Sequence, residues 1–124
     1  MMILLLASLF FCYFLADFSP LSTNWMLLAK SKGAPFFPIF VHAGLHAVLM
    51  FIVLLFFIPF TLAWQLATFQ WVAHFTIDVC KGKTNVLFPS VADPNHKRYW
   101  ILFGFDQLMH QLVIVVMVWE IFHC

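Results

Sequence analysis

Four apolar runs set the plan of the chain, at roughly residues 2 to 19, 36 to 58, 60 to 80 and 99 to 122. Each approaches the roughly 20 residues that a helix needs to cross a bilayer. The first carries no positively charged leader, and "FLADFSP" offers no small-x-small cleavage site, so it reads as a mature helix ended by Pro20. The second opens on "APFFP", where Pro35 and Pro38 suit a first helical turn because the missing N–H would be unpaired there anyway. Continued without a break to Cys80, it would be a helix of about 45 residues and about 67 Å, more than twice the bilayer core. The chain must therefore reverse, and Pro59 in "IPFTLAW" marks the place. So short a connection predicts an antiparallel hairpin of the second and third helices.

The polar segments between the runs orient the chain. With four helices in alternation, the 20 to 35 and 81 to 98 loops share one side, and the termini and the Pro59 turn share the other. Lys30, Lys32, Lys81, Lys83, Lys97 and Arg98 then all fall on the loop side, which the positive-inside rule makes cytoplasmic. Trp25 and Trp100 near that boundary, and Trp64 and Trp119 near the other, sit where interfacial aromatics belong. "FPSVADPNHKRYW" reads as an ordered loop with a turn at "DPN". The expected architecture is all-α: an integral membrane four-helix bundle, one transmembrane domain over residues 1 to 124, with both termini on the non-cytoplasmic side.

Composition agrees with lipid as the solvent. The chain of 124 residues is 65% hydrophobic, 19% aromatic and only 9% charged, too little polar surface to cover a soluble domain. Its net charge of +1 gives no basic surface for nucleic acid and no acidic tail. Cys12, Cys80 and Cys124 are odd in number and form no CxxC, so they read as small apolar residues.

Against this background the ionisable residues inside the runs stand out. "HAGLH" places His42 and His46, "HFTID" places His74 and Asp78, and "DQLMH" places Asp106 and His110, each pair at i,i+4 on one helix face. Asp17 ends the first helix, so every helix contributes. At 1.5 Å per residue, Asp17 and Asp78 lie about 3 to 5 Å below the cytoplasmic helix ends, His42, His74 and Asp106 about 9 to 11 Å, and His46 and His110 about 15 to 17 Å. The outer half holds only Glu120 and His123, at its far end. Each buried charge costs about 2.5 to 3.5 kcal/mol on insertion scales, so such groups face inward and have partners. The economical expectation is one cluster.

Neutral imidazole with carboxylate is a ligand set for zinc, iron or manganese, and the lack of paired thiols argues against a thiolate site. The expected metal ligands are Asp17, His42, His46, His74, Asp78, Asp106 and His110, with zinc as the first choice of divalent ion. Seven candidates exceed the needs of one ion, so some would orient a ligand or a second ion would be present. Asp78 and Asp106 are the candidate proton-handling groups, and Gln107 would hold a water or a substrate oxygen. The plainer reading of any single histidine is a hydrogen bond between helices, of Asp17 a solvated helix end or a partner of Lys30, and of Lys81 and Lys83 an anchor at the headgroups, with a substrate-phosphate contact as the alternative. Gly44 reads as a site of close helix packing.

The order "LADF", "NWMLLAK", "HAGLH", "HFTIDVCK", "DQLMHQ" resembles a family of small bacterial and phage inner-membrane proteins of unknown function, over nearly the whole chain. That resemblance implies recurring polar positions at Asp17, His42, His46, His74, Asp78, Lys81, Asp106, Gln107 and His110, and a multi-pass location in the bacterial inner membrane. Many relatives carry a histidine one turn before the first Asp, where this chain has Tyr13. By analogy alone it is also similar to membrane-bound metal-dependent hydrolases.

Four functions compete. The first is a membrane-embedded metal-dependent hydrolase acting on a lipid-linked or interfacial substrate. The second is a metal-ion or proton transporter, against which stands the lack of polar residues in the outer half. Haem ligation by facing histidines is the third, disfavoured by three carboxylates that axial ligation does not need. The last is a structural accessory subunit whose cluster only pins the helices together. Four helices enclose a small cavity, which is compatible with a homo-oligomer.

Overall fold

The computed structural model describes residues 2–18 and 24–123. Pro20, expected to end the first helix, and Cys124 lie outside them. Among the described residues the fold is all-α, with five α-helices and no strand: α1 (Met2–Phe18), α2 (Asn24–Lys32), α3 (Phe36–Leu54), α4 (Phe60–Leu87) and α5 (Lys97–His123), plus a 3-10 turn at Pro89–Ala92. The four long helices pack in a ring, α1 on α3, α3 on α4, α4 on α5 and α5 on α1.

Helix boundaries follow local chemistry. Pro35 and Pro59 sit in extended conformation as the N-caps of α3 and α4, and Pro38 lies in the first turn of α3, where no N–H is needed. The reversal at residues 55–59 makes α3 and α4 the expected hairpin. The turn at "DPN" is also present: Asp93 accepts a hydrogen bond from the Asn95 amide at 3.0 Å, and the Trp100 indole donates to the Pro94 carbonyl at 2.8 Å.

Two expectations about the elements need correction. Residues 20 to 35, read as a loop, contain α2, and α4 runs seven residues past Cys80, to Leu87. Both errors have one cause: an apolar run measures how much of a helix suits hydrocarbon, whereas a helix continues through polar residues until something stops it. Gly33, at φ +69°, stops α2 in the left-handed conformation that ends many helices. The cap of α4 is Phe88, immediately before Pro89.

Large apolar side chains cover the outside, and ionisable groups lie enclosed within. Ile3, Phe56, Leu87 and Phe37 are among many large apolar side chains left exposed, while His42, His46, His74 and Asp78 are fully enclosed. α3 and α5 are each long and apolar enough to cross a membrane, and α1 is a shorter apolar helix. One end of the ring is filled by Leu5, Leu9, Met50, Leu54, Leu66, Ile114 and Met117. The other end holds the ionisable groups.

Candidate metal centre

The centre is assembled by helix faces. His42 and His46 lie one turn apart on α3, their rings 4.9 Å apart. Gly44 lies between them, and a methyl there would meet the Trp71 indole of α4 at 3.0 Å, so its small size lets α4 close on this face. Trp71 in turn donates to the Phe40 carbonyl at 3.0 Å. The approach brings His74 to within 4.0 Å of His46, ring to ring, and His110 of α5 lies 4.1 Å from His74 on its other side.

Carboxylates frame the imidazoles. Asp78 Oδ1 is 3.1 Å from His110 Nε2, and Asp78 Oδ2 is 3.0 Å from His74 Nε2. Asp106 Oδ1 lies 3.3 Å from His110 Nε2. Asp17 Oδ1 lies 3.2 Å from His42 Nε2 and 3.6 Å from His46 Nε2. All seven residues expected from the sequence therefore meet. Two overlapping triads have ligand atoms within 4.8 Å of one another: His42, His46 and His74, and His74, Asp78 and His110. Asp17 and Asp106 border these triads and belong to neither.

Several close approaches are not hydrogen bonds. Both nitrogens of His42 and His46, with His74 Nε2 and Asp78 Oδ2, are buried without a hydrogen-bond partner, although each of the three Nε2 atoms lies close to a carboxylate. The atoms are near one another but poorly aimed at one another. Each unsatisfied buried group costs about 1 to 3 kcal/mol. A cation among them satisfies several at once, and the donor set of imidazole and carboxylate fits a divalent metal.

Two lysines enter the cluster. Lys30 of α2 donates to Asp17 Oδ1 at 3.1 Å and lies 4.0 Å from Asp78 Oδ1. Lys81, on the part of α4 beyond the apolar run, lies 3.5 Å from Asp106 Oδ2 and 5.2 Å above the Phe103 ring. Burial of the Lys30 ammonium favours its neutral form, but the carboxylates of Asp78 and Asp17 outweigh that and raise its pKa above the ordinary lysine value. With neutral imidazoles, the three carboxylates still exceed the two ammonium groups by one negative charge. α2 is held in place by glycine: a methyl on Gly82 of α4 would fall on the backbone of Gly33 and on the Lys30 carbonyl at 2.7 Å.

Three groups of the site went unread in the sequence or were read too simply. Gln70 is 2% exposed, and its Nε2 lies 3.5 Å from His74 Nδ1 while its Oε1 has no hydrogen bond. Turning that amide over, a change of no shape, lets Oε1 accept from Nδ1–H and leaves the His74 Nε2 lone pair facing the centre. Its signal was present, since Gln70, His74 and Asp78 continue one i,i+4 stripe. Tyr13 is the second: its ring lies 5.0 Å from that of His46 and 5.5 Å from that of His110. Its hydroxyl donates to Gln107 Oε1 at 3.0 Å, and Gln107 Nε2 in turn lies 3.4 Å from Asp106 Oδ2. The third is Lys81, read as an anchor, which reaches the centre through Asp106.

Fold and site together define an all-α protein with a buried His/Asp cluster able to hold a metal ion. Residues 5–124 match the profile of a family described as a protein of unknown function, DUF3307, and the chain belongs to that family. No curated protein and no solved structure gave a match.

Proposed function

We propose that the protein is a metal-dependent hydrolase embedded in the bacterial inner membrane. In this reading α1, α3, α4 and α5 cross the bilayer, with α2 and the Lys-rich segments at the cytoplasmic boundary and both termini on the opposite side. The apolar exterior and enclosed polar groups support it, since hydrocarbon solvates the first and penalises exposure of the second. The observation that carries the metal is the convergence of buried nitrogens and carboxylate oxygens of which several, on His42, His46, His74 and Asp78, have no hydrogen-bond partner, beside the one hydrogen bond between His110 Nε2 and Asp78 Oδ1.

His42, His46, His74, Asp78 and His110 would hold the ion, with zinc, iron and manganese all fitting the donor set. A divalent ion supplies Lewis acidity and lowers the pKa of water enough to make it a nucleophile near neutral pH. Asp106 lies beside the second triad, accepts from Gln107 and pairs with Lys81, which suits it to take a proton and return it to a leaving group. Asp17, paired with Lys30, steadies the His42 and His46 side.

A transport reading is less well supported. Beyond the centre the ring is closed by Leu5, Leu9, Met50, Leu54, Ile114 and Met117, which leave no polar path to the far end among the described residues. The test is turnover of phosphoester and amide or ester substrates by protein stripped with a chelator and reloaded with each ion. The proposal expects metal-dependent turnover that Asp106→Asn abolishes while the metal stays bound. Metal-loaded protein inactive on every substrate class would leave a structural or relay role for the cluster.

A further inference from the structure

We propose that the substrate is an acyl ester or amide of a membrane lipid, and that it reaches the centre sideways through a cleft between α1 and α5. This rests on the hydrolytic reading above. The cleft has a volume of about 290 Å³ and is lined by Phe10, Tyr13 and Phe14 from α1 and by Gln107 and Gln111 from α5. That is room for about ten water-sized groups, enough for the linkage region of a lipid but not for its chains.

Its chemistry is mixed in a way that neither lipid packing nor a dry core requires. Gln107 and Gln111 are i,i+4 neighbours, and Gln111 is exposed among Leu108, Leu112 and Val115. A carboxamide facing hydrocarbon is costly without a partner. Among the described residues the cleft walls contain phenol and carboxamides and no ionised group, which matches uncharged acceptors and donors such as an ester or amide carbonyl. The rim residue Phe14 is 56% exposed, as expected of a ring that meets acyl chains.

Tyr13 forms the floor. One side of its ring faces the imidazoles of His46 and His110, and its hydroxyl closes the cleft against Gln107. The barrier between cleft and centre is thus one side chain thick. A substrate carbonyl that takes over the hydrogen bonds of Tyr13 and Gln107 would release that closure. In the reaction the water oxygen bonds to the acyl carbon, the bond from that carbon to the alcohol oxygen or amine nitrogen breaks, and the leaving group departs with a proton. Water is the only co-reactant.

A second copy of the chain is the rival occupant, because glutamine also joins helices in lipid. The Tyr13 hydroxyl, on a residue only 6% exposed, and its partner Gln107 are set back in the cleft, so a helix of a second copy would meet Gln111 and not this pair. The test uses nanodiscs containing a phosphatidylglycerol with a diazirine next to one ester carbonyl, with adducts mapped by mass spectrometry and metal content measured on the same samples. Adducts should concentrate on the cleft residues relative to the lipid-facing Val115 and Val116. In Gln111→Leu they should fall about fivefold, the scale of one lost hydrogen bond, with metal content and thermal unfolding unchanged. Even labelling along α5, no change in Gln111→Leu, or protein-to-protein crosslinks through Gln111 would each overturn the lateral route. Metal-free protein that still concentrates adducts in the cleft would overturn the hydrolytic reading while leaving the lipid site in place.

Discussion

Along α1 the buried residues include Leu5 and Leu9 towards one end and Tyr13 towards the other, beside Asp17; along α4 they include Ala63 and Leu66, then Gln70, His74 and Asp78. The same helices thus make a dry, close-packed end and an end of charges and imidazoles. In the proposed membrane setting, helices gain little from the hydrophobic effect on meeting one another, so the dry end would be held by van der Waals packing. It fixes the helix axes on which the other end depends. The polar end contains groups that do not satisfy one another, which is expensive as architecture and useful as a binding site.

Substitutions can break this comparison from either side. The largest effect is expected from Asp78→Ala, which removes the anion shared by His74, His110 and Lys30. Metal-free protein should lose about 3 to 5 kcal/mol, read by unfolding in mixed micelles, because buried partners are left uncompensated. Met50→Ala in the dry end should cost about 2 kcal/mol, the low end for a buried apolar truncation because lipid competes with the core, and leave metal stoichiometry intact. If it removed the metal as well, the two ends would not be separable.

Gln70→Leu tests the support of the shared histidine. Metal affinity should fall about 10- to 100-fold by competition with a chelator, with unfolding in the absence of metal little changed. The smallest effect concerns pH. Lys30 has a folded pKa above its unfolded value, so its contribution is complete below the unfolded lysine pKa of about 10.4 and is lost as pH rises through the folded value. Stability should be flat with respect to this group from neutral pH to about 10 and fall above that. Lys30→Met should flatten the alkaline limb in a thermal unfolding series.

The polar end was legible in the sequence to the extent that it is written on helix faces. Three i,i+4 pairs and Asp17 were enough to expect a cluster, and the structure brings all seven together. Gln70 lies on the same stripe as His74, but an uncharged amide does not stand out from an apolar run. The pairing of Lys30 with Asp17 is among the readings that the sequence allows, but α2 is not legible, since its place depends on Gly33 meeting Gly82 across about 50 residues of chain, and spacing along a helix carries no such information. The contact of Lys81 with Asp106 is hidden for a related reason, although the family resemblance names the residue. The polar tail of α4 looked like loop, and only as helix does it point Lys81 back at Asp106.

The most direct test of the central claim is metal content by elemental mass spectrometry on detergent-purified protein, wild type beside His74→Ala and Met50→Ala. The account predicts one or two equivalents of zinc, iron or manganese in wild type and in Met50→Ala, and loss in His74→Ala, the one residue common to both triads. Wild type that stays metal-free after incubation with each ion would contradict it.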